Sequence, residues 1–183
     1  PISAPVCIVT VTAPTVEPAE DADVYVTVSN AGVLALARAA VTVKDLDADG
    51  KLTYDEALVA AHDAYYSGGA AAGYDGGSGF VRKLWGVDAG GNCLFVLNHA
   101  FIRNGVAVDT VQAGDNLVAA IMSDPDEYFY TDYYAYYTEP AVTGTAGQPI
   151  TLRLALTPDD MMGLEEAEPT GLQAGTWANG TFK

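Results

Sequence analysis

Residues 45–56 read Asp-Leu-Asp-Ala-Asp-Gly-Lys-Leu-Thr-Tyr-Asp-Glu, with carboxylates at the first, third, fifth and twelfth positions. Calcium in proteins is held by roughly six to eight oxygen atoms, and twelve-residue loops present them from these positions. Gly50 occupies the sixth position, where the loop turns sharply and a residue without a Cβ atom is needed. Because every constrained position of the pattern D-x-D-x-D-G-x5-E is filled, the stretch predicts a calcium-binding loop.

The candidate calcium ligands in this loop are Asp45, Asp47, Asp49, Lys51, Thr53 and Glu56. The acids offer carboxylate oxygens, the lysine its backbone carbonyl, and the threonine a hydroxyl that binds directly or through water. The glutamate closes such a site with both of its oxygens. The alternative interpretation is a solvated acidic turn, but the complete match of the pattern favours the metal.

The segments on either side of the loop indicate how the ion would act. Ala40–Lys44 carries β-branched residues and predicts a strand. Thr53–Tyr66 has apolar residues at helical spacing and predicts a helix, with His62 expected on its exposed face. A calcium sensor needs two helices whose angle the ion changes. The order strand, loop, helix therefore predicts a structural ion.

Most of the remaining chain predicts short strands separated by proline, glycine and acidic turns. The β-rich runs are Cys7–Thr12, Val24–Val28, Val33–Leu36, Leu84–Trp85, Cys93–Leu97, Leu117–Met122 and Ile150–Leu156. Residues 67–79 are rich in glycine and alanine and predict a loop that either packs over the calcium helix or stays mobile. We therefore expect an α+β, mainly β fold of antiparallel strands with one calcium-loop helix inserted.

The length of 183 residues fits one module, residues 1–183, with a sizeable apolar core. Within it, residues 1–44 plus 139–183 are expected to supply strands of a β-sheet or sandwich. Residues 45–66 are the calcium loop and helix, and residues 80–138 are a β-rich subdomain. The two terminal parts are expected to share a sheet, since neither has enough strand partners alone.

The charge of the chain excludes several partners. Eight basic against 24 acidic residues give a net charge of −16, which repels nucleic acid and anionic lipid. No apolar run reaches the roughly 20 residues of a membrane helix. The chain opens on Pro1 rather than methionine, which predicts a piece of a longer protein. A single structural calcium site fills at extracellular calcium concentrations, so a secreted or cell-surface location is expected.

Residues that often carry catalysis are sparse. Cys7 and Cys93 lie in apolar runs without metal-type spacing and are interpreted as buried small residues, with a disulfide between them left open. His62 and His99 are not near a nucleophile motif, and Ser78 lacks the second glycine of a nucleophile elbow. A carboxylate pair for glycoside hydrolysis remains open among so many acids. We predict that the chain is not an enzyme.

Tyrosines cluster in residues 127–137, which read Glu-Tyr-Phe-Tyr-Thr-Asp-Tyr-Tyr-Ala-Tyr-Tyr. Adjacent rings on a strand point to opposite faces, so some must be exposed or must cover another element. Tyrosine offers large, rigid contact area and a hydroxyl group, which favours binding surfaces. The candidate partner-binding residues are Tyr128, Tyr130, Tyr133, Tyr134, Tyr136 and Tyr137. The alternative is a set of ordinary half-buried strand residues.

Two groups of motifs resemble known families. The first consists of Val41–Ala61, the Gly-Gly-Ala-Ala-Ala-Gly-Tyr of residues 68–74, and Lys83–Gly86. It resembles repeat modules of large bacterial cell-surface proteins, in which a dockerin-like calcium segment lies inside a β-rich domain. The second, Phe95–Asn98 followed by Val111–Asp115, is similar to a bacterial domain of unknown function related to the C-terminal β-domain of transcobalamin.

The first resemblance implies a noncatalytic, calcium-stabilised extracellular recognition module that binds a host protein, with immunoglobulin as the candidate, as in immunoglobulin-binding superantigens and adhesins. Dockerins pair two calcium loops to bind cohesin, and one loop is visible in this sequence, so cohesin docking is not implied. Cobalamin binding is not implied either, because likeness of fold does not transport a ligand. A glycan- or mucin-binding adhesin module, which would require exposed Trp85 and Trp177, and a structural spacer repeat are the alternatives.

Overall fold

The computed structural model describes residues 16–122, 134–139, 141–157, 177–178 and 181–182. The strands are β1 (Ala22–Asn30), β2 (Val33–Val43), β3 (Lys83–Leu84), β4 (Val87–Asp88), β5 (Cys93–Leu97), β6 (Ala100–Phe101), β7 (Asn116–Ile121), β8 (Tyr134–Tyr137), β9 (Leu154–Thr157), β10 (Trp177–Ala178) and β11 (Thr181–Phe182); the α-helices are α1 (Tyr54–Tyr65) and α2 (Gly69–Gly73). The predicted mainly β, α+β class is confirmed. Within these ranges, no helix has the length and apolar character needed to cross a bilayer.

The central sheet has five strands in the order β2-β1-β7-β5-β6. β1 and β7 run parallel, whereas the other neighbouring pairs are antiparallel. A parallel pair needs a long crossover connection, usually one with a helix, and the chain between β1 and β7 contains α1. The sheet is therefore mixed, and the expectation of purely antiparallel strands is wrong for this pair.

One face of this sheet forms the main core together with α1. Val24 and Val26 of β1 have no exposed surface, and Tyr54 and Leu58 of α1 are equally buried. Burial of an aliphatic side chain stabilises a fold by about 1.5–3 kcal/mol. The Tyr54 hydroxyl donates to the Val118 carbonyl at 2.8 Å, which satisfies its polar end inside the core. The apolar residues that alternate along β1 therefore pack on this face against the apolar residues at helical spacing in α1.

β9 lies outside the central sheet and pairs with β8 in a separate antiparallel sheet of two strands. The second neighbour of β1 is β7. We expected the N- and C-terminal strands to share a sheet, but among the described strands residues 22–43 do not pair with residues 154–157. The strand predicted over Ile150–Leu156 is shorter, because residues 150–153 are not in a strand. The predicted strand Cys7–Thr12 lies outside the described residues.

The glycine-rich segment after α1 packs against that helix, which is one of the two arrangements expected from its composition. α2 forms there, followed by a 3-10 turn at Gly77–Gly79. A Cβ atom on Gly73 would lie 2.5 Å from the ring of Tyr66. Glycine at this position therefore allows α2 to lie directly against the end of α1.

His62 is buried, and the expectation of an exposed side chain is wrong. Its Nδ1 lies 2.6 Å from the Leu58 carbonyl oxygen, and its Nε2 accepts the Trp85 N–H at 3.0 Å. These contacts fit a neutral imidazole with its proton on Nδ1. The rings of Tyr74 and Trp85 lie 5.1 and 4.8 Å from the imidazole. Burial among them lowers the pKa of His62 below its usual value.

We expect the free energy of unfolding to decrease as the pH falls below about 6.5, the pKa of an unfolded histidine. The unfolded chain then binds a proton at His62 that the folded protein does not accept until the pH reaches its lowered pKa. The loss approaches about 1.4 kcal/mol per pH unit for one proton. Urea denaturation between about pH 7.5 and 5.5 measures this loss.

His62→Gln should reduce the slope of this pH dependence, because the buried titrating group is gone. A constant free energy of unfolding over this range, or an unchanged slope in His62→Gln, would contradict the prediction.

Candidate calcium loop

Three aspartates of the predicted loop converge. The carboxylate oxygens that Asp45, Asp47 and Asp49 can offer to a metal all lie within 4.8 Å of one another. Asp47 and Asp49 are exposed, and Asp45 is half-buried. The structure thus brings together the first, third and fifth loop positions, which the sequence analysis predicted as calcium ligands.

Side chains of the loop hold its own backbone in a tight curve. The Gly50 N–H donates to Asp45 Oδ2 at 2.8 Å, and the Lys51 N–H donates to Asp49 Oδ1 at 2.9 Å. Ala48 and Gly50 have positive φ angles of 58° and 83°, a conformation that a residue without Cβ adopts most easily. The curvature of the backbone places the three carboxylates side by side.

Asp45 also ties the loop to the segment that precedes β1. Its Oδ2 accepts the Ala19 N–H at 2.9 Å. This hydrogen bond, together with donors from the loop, holds the pKa of Asp45 below its usual value. Asp45 is therefore ionised at neutral pH and carries the negative charge that a cation requires.

Glu56 occupies a different position from the three aspartates. Its Oε1 accepts the Leu46 N–H at 2.6 Å, and its Oε2 accepts the N–H and the hydroxyl of Thr53 at 2.8 and 2.9 Å. Glu56 is buried and completes a capping box with Thr53 at the start of α1. Both oxygens of Glu56 already accept hydrogen bonds, so ligation of a metal by this carboxylate would replace some of these contacts.

Lys51 and Thr53 use their side chains for contacts within the loop. The Lys51 ammonium lies 3.7 Å from Asp49 Oδ2, and such an exposed ion pair stabilises a fold only slightly. The Thr53 hydroxyl is bonded to Glu56. Calcium ligation by the Lys51 carbonyl, the Thr53 hydroxyl and the Glu56 carboxylate stays a prediction.

A segment before β7, which the sequence analysis missed, supports the loop from outside. The Val111 N–H donates to the Leu52 carbonyl at 2.8 Å, and the Tyr54 N–H donates to the Asp109 carbonyl at 2.9 Å. The two segments also form an isolated antiparallel bridge. These are backbone contacts between distant parts of the chain, so no local sequence pattern indicates them.

β8 carries the described part of the tyrosine cluster. Tyr137 is 48% exposed, whereas Tyr136 stacks on His99 with ring centroids 4.2 Å apart. Tyr134 also lies in β8. The other candidates, Tyr128, Tyr130 and Tyr133, lie outside the described residues. Among the tyrosines of this cluster whose side chains the structure describes, Tyr137 is therefore the more exposed one.

Comparisons with protein-family models, with curated proteins and with solved structures found no match to this chain. The resemblance to bacterial surface modules stays an interpretation of the motifs.

Replacement of Gly50 by alanine should destabilise the protein more than the same change at Gly114. Both glycines have positive φ angles, 83° and 88°, which cost an alanine about 1–2 kcal/mol. A Cβ atom on Gly50 would in addition lie 2.7 Å from Val16 Cγ1 and 3.2 Å from the Glu17 carbonyl oxygen, whereas Gly114 has open space. Thermal unfolding measures both losses. Equal losses would contradict the packing of Val16 and Glu17 over the loop.

Proposed function

We propose that this chain is a calcium-stabilised, noncatalytic recognition module in which residues 45–56 bind one calcium ion. The observation that carries the metal assignment is the convergence of Asp45, Asp47 and Asp49 within 4.8 Å at the first, third and fifth loop positions. Three carboxylates at this spacing repel one another, and a divalent cation removes the repulsion. Carboxylate and carbonyl oxygens are the ligands that calcium prefers.

The ion would brace several segments that meet at the loop. The loop connects β2 to α1. Within it, Asp45 accepts a hydrogen bond from the Ala19 N–H, and the Leu52 carbonyl accepts one from the Val111 N–H. Calcium at a hundred times its dissociation constant adds about 2.7 kcal/mol to the free energy of unfolding. That is a large share of the roughly 5–15 kcal/mol typical of a domain. Such a site fills outside the cell, which supports an extracellular or cell-surface location.

The noncatalytic part of the proposal is supported by two groups that often perform catalysis. Both ring nitrogens of His62 are bonded to backbone atoms. Burial raises the pKa of the Cys93 thiol to about 12, so this cysteine is not a thiolate nucleophile at neutral pH. Both residues serve the packing of the module.

Recognition of a host protein is supported by exposed apolar side chains in and after β8. Tyr137, Val142, Ile150 and Leu152 are 48%, 45%, 53% and 49% exposed. Aromatic side chains such as tyrosine are enriched in protein interaction sites. The proposed partner is a host protein, with immunoglobulin as the candidate.

A glycan- or mucin-binding adhesin module and a structural spacer are the alternatives. Glycan-binding modules stack exposed aromatic rings on sugar faces. Trp85 instead packs against the rings of His62 and Tyr66, with centroids 4.8 and 5.4 Å apart, which favours the protein partner. A spacer would bind neither ligand.

Asp47→Asn should weaken calcium binding about tenfold, because the loop loses one negative ligand charge. Asp88→Asn is the matched control. Asp47 and Asp88 each accept the N–H of the residue two positions later, at 3.2 and 3.1 Å, so both variants keep this acceptor and lose one charge. Isothermal titration with calcium measures the affinity, and thermal unfolding in calcium and in excess chelator measures the stabilisation.

The wild-type protein and Asp88→Asn should both melt several degrees lower in chelator. The difference between the two conditions should be smaller for Asp47→Asn at limiting calcium. Absence of binding heat at millimolar calcium, together with identical melting in calcium and chelator, would contradict the calcium assignment.

Tyr137→Ala should weaken binding to human immunoglobulin at least about tenfold if this ring is a central contact. Tyr65→Ala is the control, because Tyr65 is 50% exposed on a different element, α1. Surface plasmon resonance with immobilised immunoglobulin, and with mucin glycans in parallel, measures both variants. Binding to glycans alone would replace the host-protein proposal with the adhesin, and saturable binding to neither would leave the spacer.

A further inference from the structure

The face of the central sheet opposite α1 borders a groove of about 520 Å³. Tyr25, Thr27 and Ser29 alternate along β1 with the core valines, so their side chains lie on this face. Ala135, Tyr136 and Tyr137 of β8, together with Glu139 after it, form the facing wall. Pockets of about 300–1,000 Å³ are the size that holds small molecules.

Much of the lining is apolar or aromatic. The apolar lining includes Leu94 of β5, Val118 of β7 and Met122, which directly follows β7. On the facing wall, the Tyr136 ring is fixed by its stacking on His99 at 4.2 Å. A rigid aromatic wall opposite an apolar floor favours a flat or apolar ligand body.

One guanidinium, that of Arg38 in β2, also lines the groove. The register between β1 and β2 shifts after Val26, so that Ala37 and Arg38 both lie opposite Thr27. Arg38 adopts a φ of 41° in this β-bulge, and its N–H donates to Thr27 Oγ1 at 3.0 Å. Bulges re-aim side chains and are frequent beside binding sites, and positive φ at a non-glycine residue often marks a functional position.

Among the described residues, the Arg38 side chain is held in place without an ion pair. Its guanidinium carbon lies 3.8 Å from the centroid of the Tyr25 ring, and its Nε donates to Asn116 Oδ1 at 3.2 Å. The salt bridges within the described ranges involve Lys44 and Lys51 instead. In a chain with 24 acidic and eight basic residues, a guanidinium oriented by a ring and an amide keeps its charge for an anionic ligand.

We propose that this groove binds a small molecule with an aromatic or aliphatic body and one carboxylate group. The carboxylate accepts hydrogen bonds from the Arg38 guanidinium, and the body packs between the sheet and Tyr136. A second copy of the chain is a poorer occupant, because each copy carries a net charge of −16. None of residues 45–56 lines the groove, so the proposal does not depend on calcium binding.

Glu139 lines the same groove and has the opposite charge to Arg38. Its Oε2 accepts the Thr138 hydroxyl at 2.7 Å. A ligand carboxylate is attracted by Arg38 and repelled by Glu139, so neutralising each residue in turn must change the affinity in opposite directions. The two variants therefore report the sign of the ligand charge.

The probes are naphthylacetate and its neutral counterpart naphthylacetamide, titrated into isotope-labelled protein and followed by amide NMR. The acid should cause saturable shifts at Thr27 and Ser29 and should bind about tenfold more tightly than the amide. Arg38→Gln should weaken binding of the acid about tenfold. Arg82→Gln, which removes an arginine outside the lining, should bind the acid like the wild type. Glu139→Gln should bind it about twofold more tightly.

Absence of saturable shifts at the groove, equal affinity of acid and amide, or unchanged affinity in Arg38→Gln would each overturn the proposal. Weaker binding of the acid in Glu139→Gln would overturn it as well. If Arg38→Gln lowers the melting temperature, the comparison of acid with amide in the wild type and in Glu139→Gln decides the question.

Discussion

The carboxylate of Asp45 is the contact on which one corner of this fold depends, because this single side chain joins the segment before β1 to the loop after β2. Its Oδ2 accepts the N–H groups of Ala19 and Gly50, and its Oδ1 accepts the Asp49 N–H at 3.2 Å. These bonds fix the segment before β1 and the loop at the end of β2. The loop then delivers Thr53 as the cap of α1, and the buried face of α1 completes the main core. Loss of Asp45 would loosen both the loop and the docking of the helix.

Elements that depend on neighbouring residues were predictable from the sequence. Cys93–Leu97 is a strand with the predicted bounds, and the helix predicted over Thr53–Tyr66 contains α1, because capping and helical spacing are local patterns. Contacts between distant residues were not predictable. The parallel pairing of β1 with β7 and the burial of His62 beneath Trp85 arise only in the tertiary fold. The predicted strands Val33–Leu36 and Ala40–Lys44 form one continuous strand, β2 (Val33–Val43), whose pairing with β1 contains two shifts of register.

The same distinction applies to the two candidate sites. The spacing of the loop acids predicted the convergence of the aspartates, because a short loop with a glycine turn constrains them closely. The position of the Glu56 carboxylate is instead set by the start of α1, where Glu56 forms a capping box with Thr53. Ligation of calcium by Glu56 would exchange some of these hydrogen bonds for metal bonds. The groove at Arg38 has no sequence signature, because it depends on the register of β2 against β1 and on the distant strand β8.

We propose that residues 45–56 close around one calcium ion. A crystal structure grown in millimolar calcium, with anomalous scattering to identify the ion, would test this. We expect one ion held by about six to eight oxygens at about 2.3–2.6 Å. The three loop aspartates, the Lys51 carbonyl and Glu56 should be among the ligands. An ordered loop with only water between the aspartates, and Glu56 still bonded to Leu46 and Thr53, would contradict it.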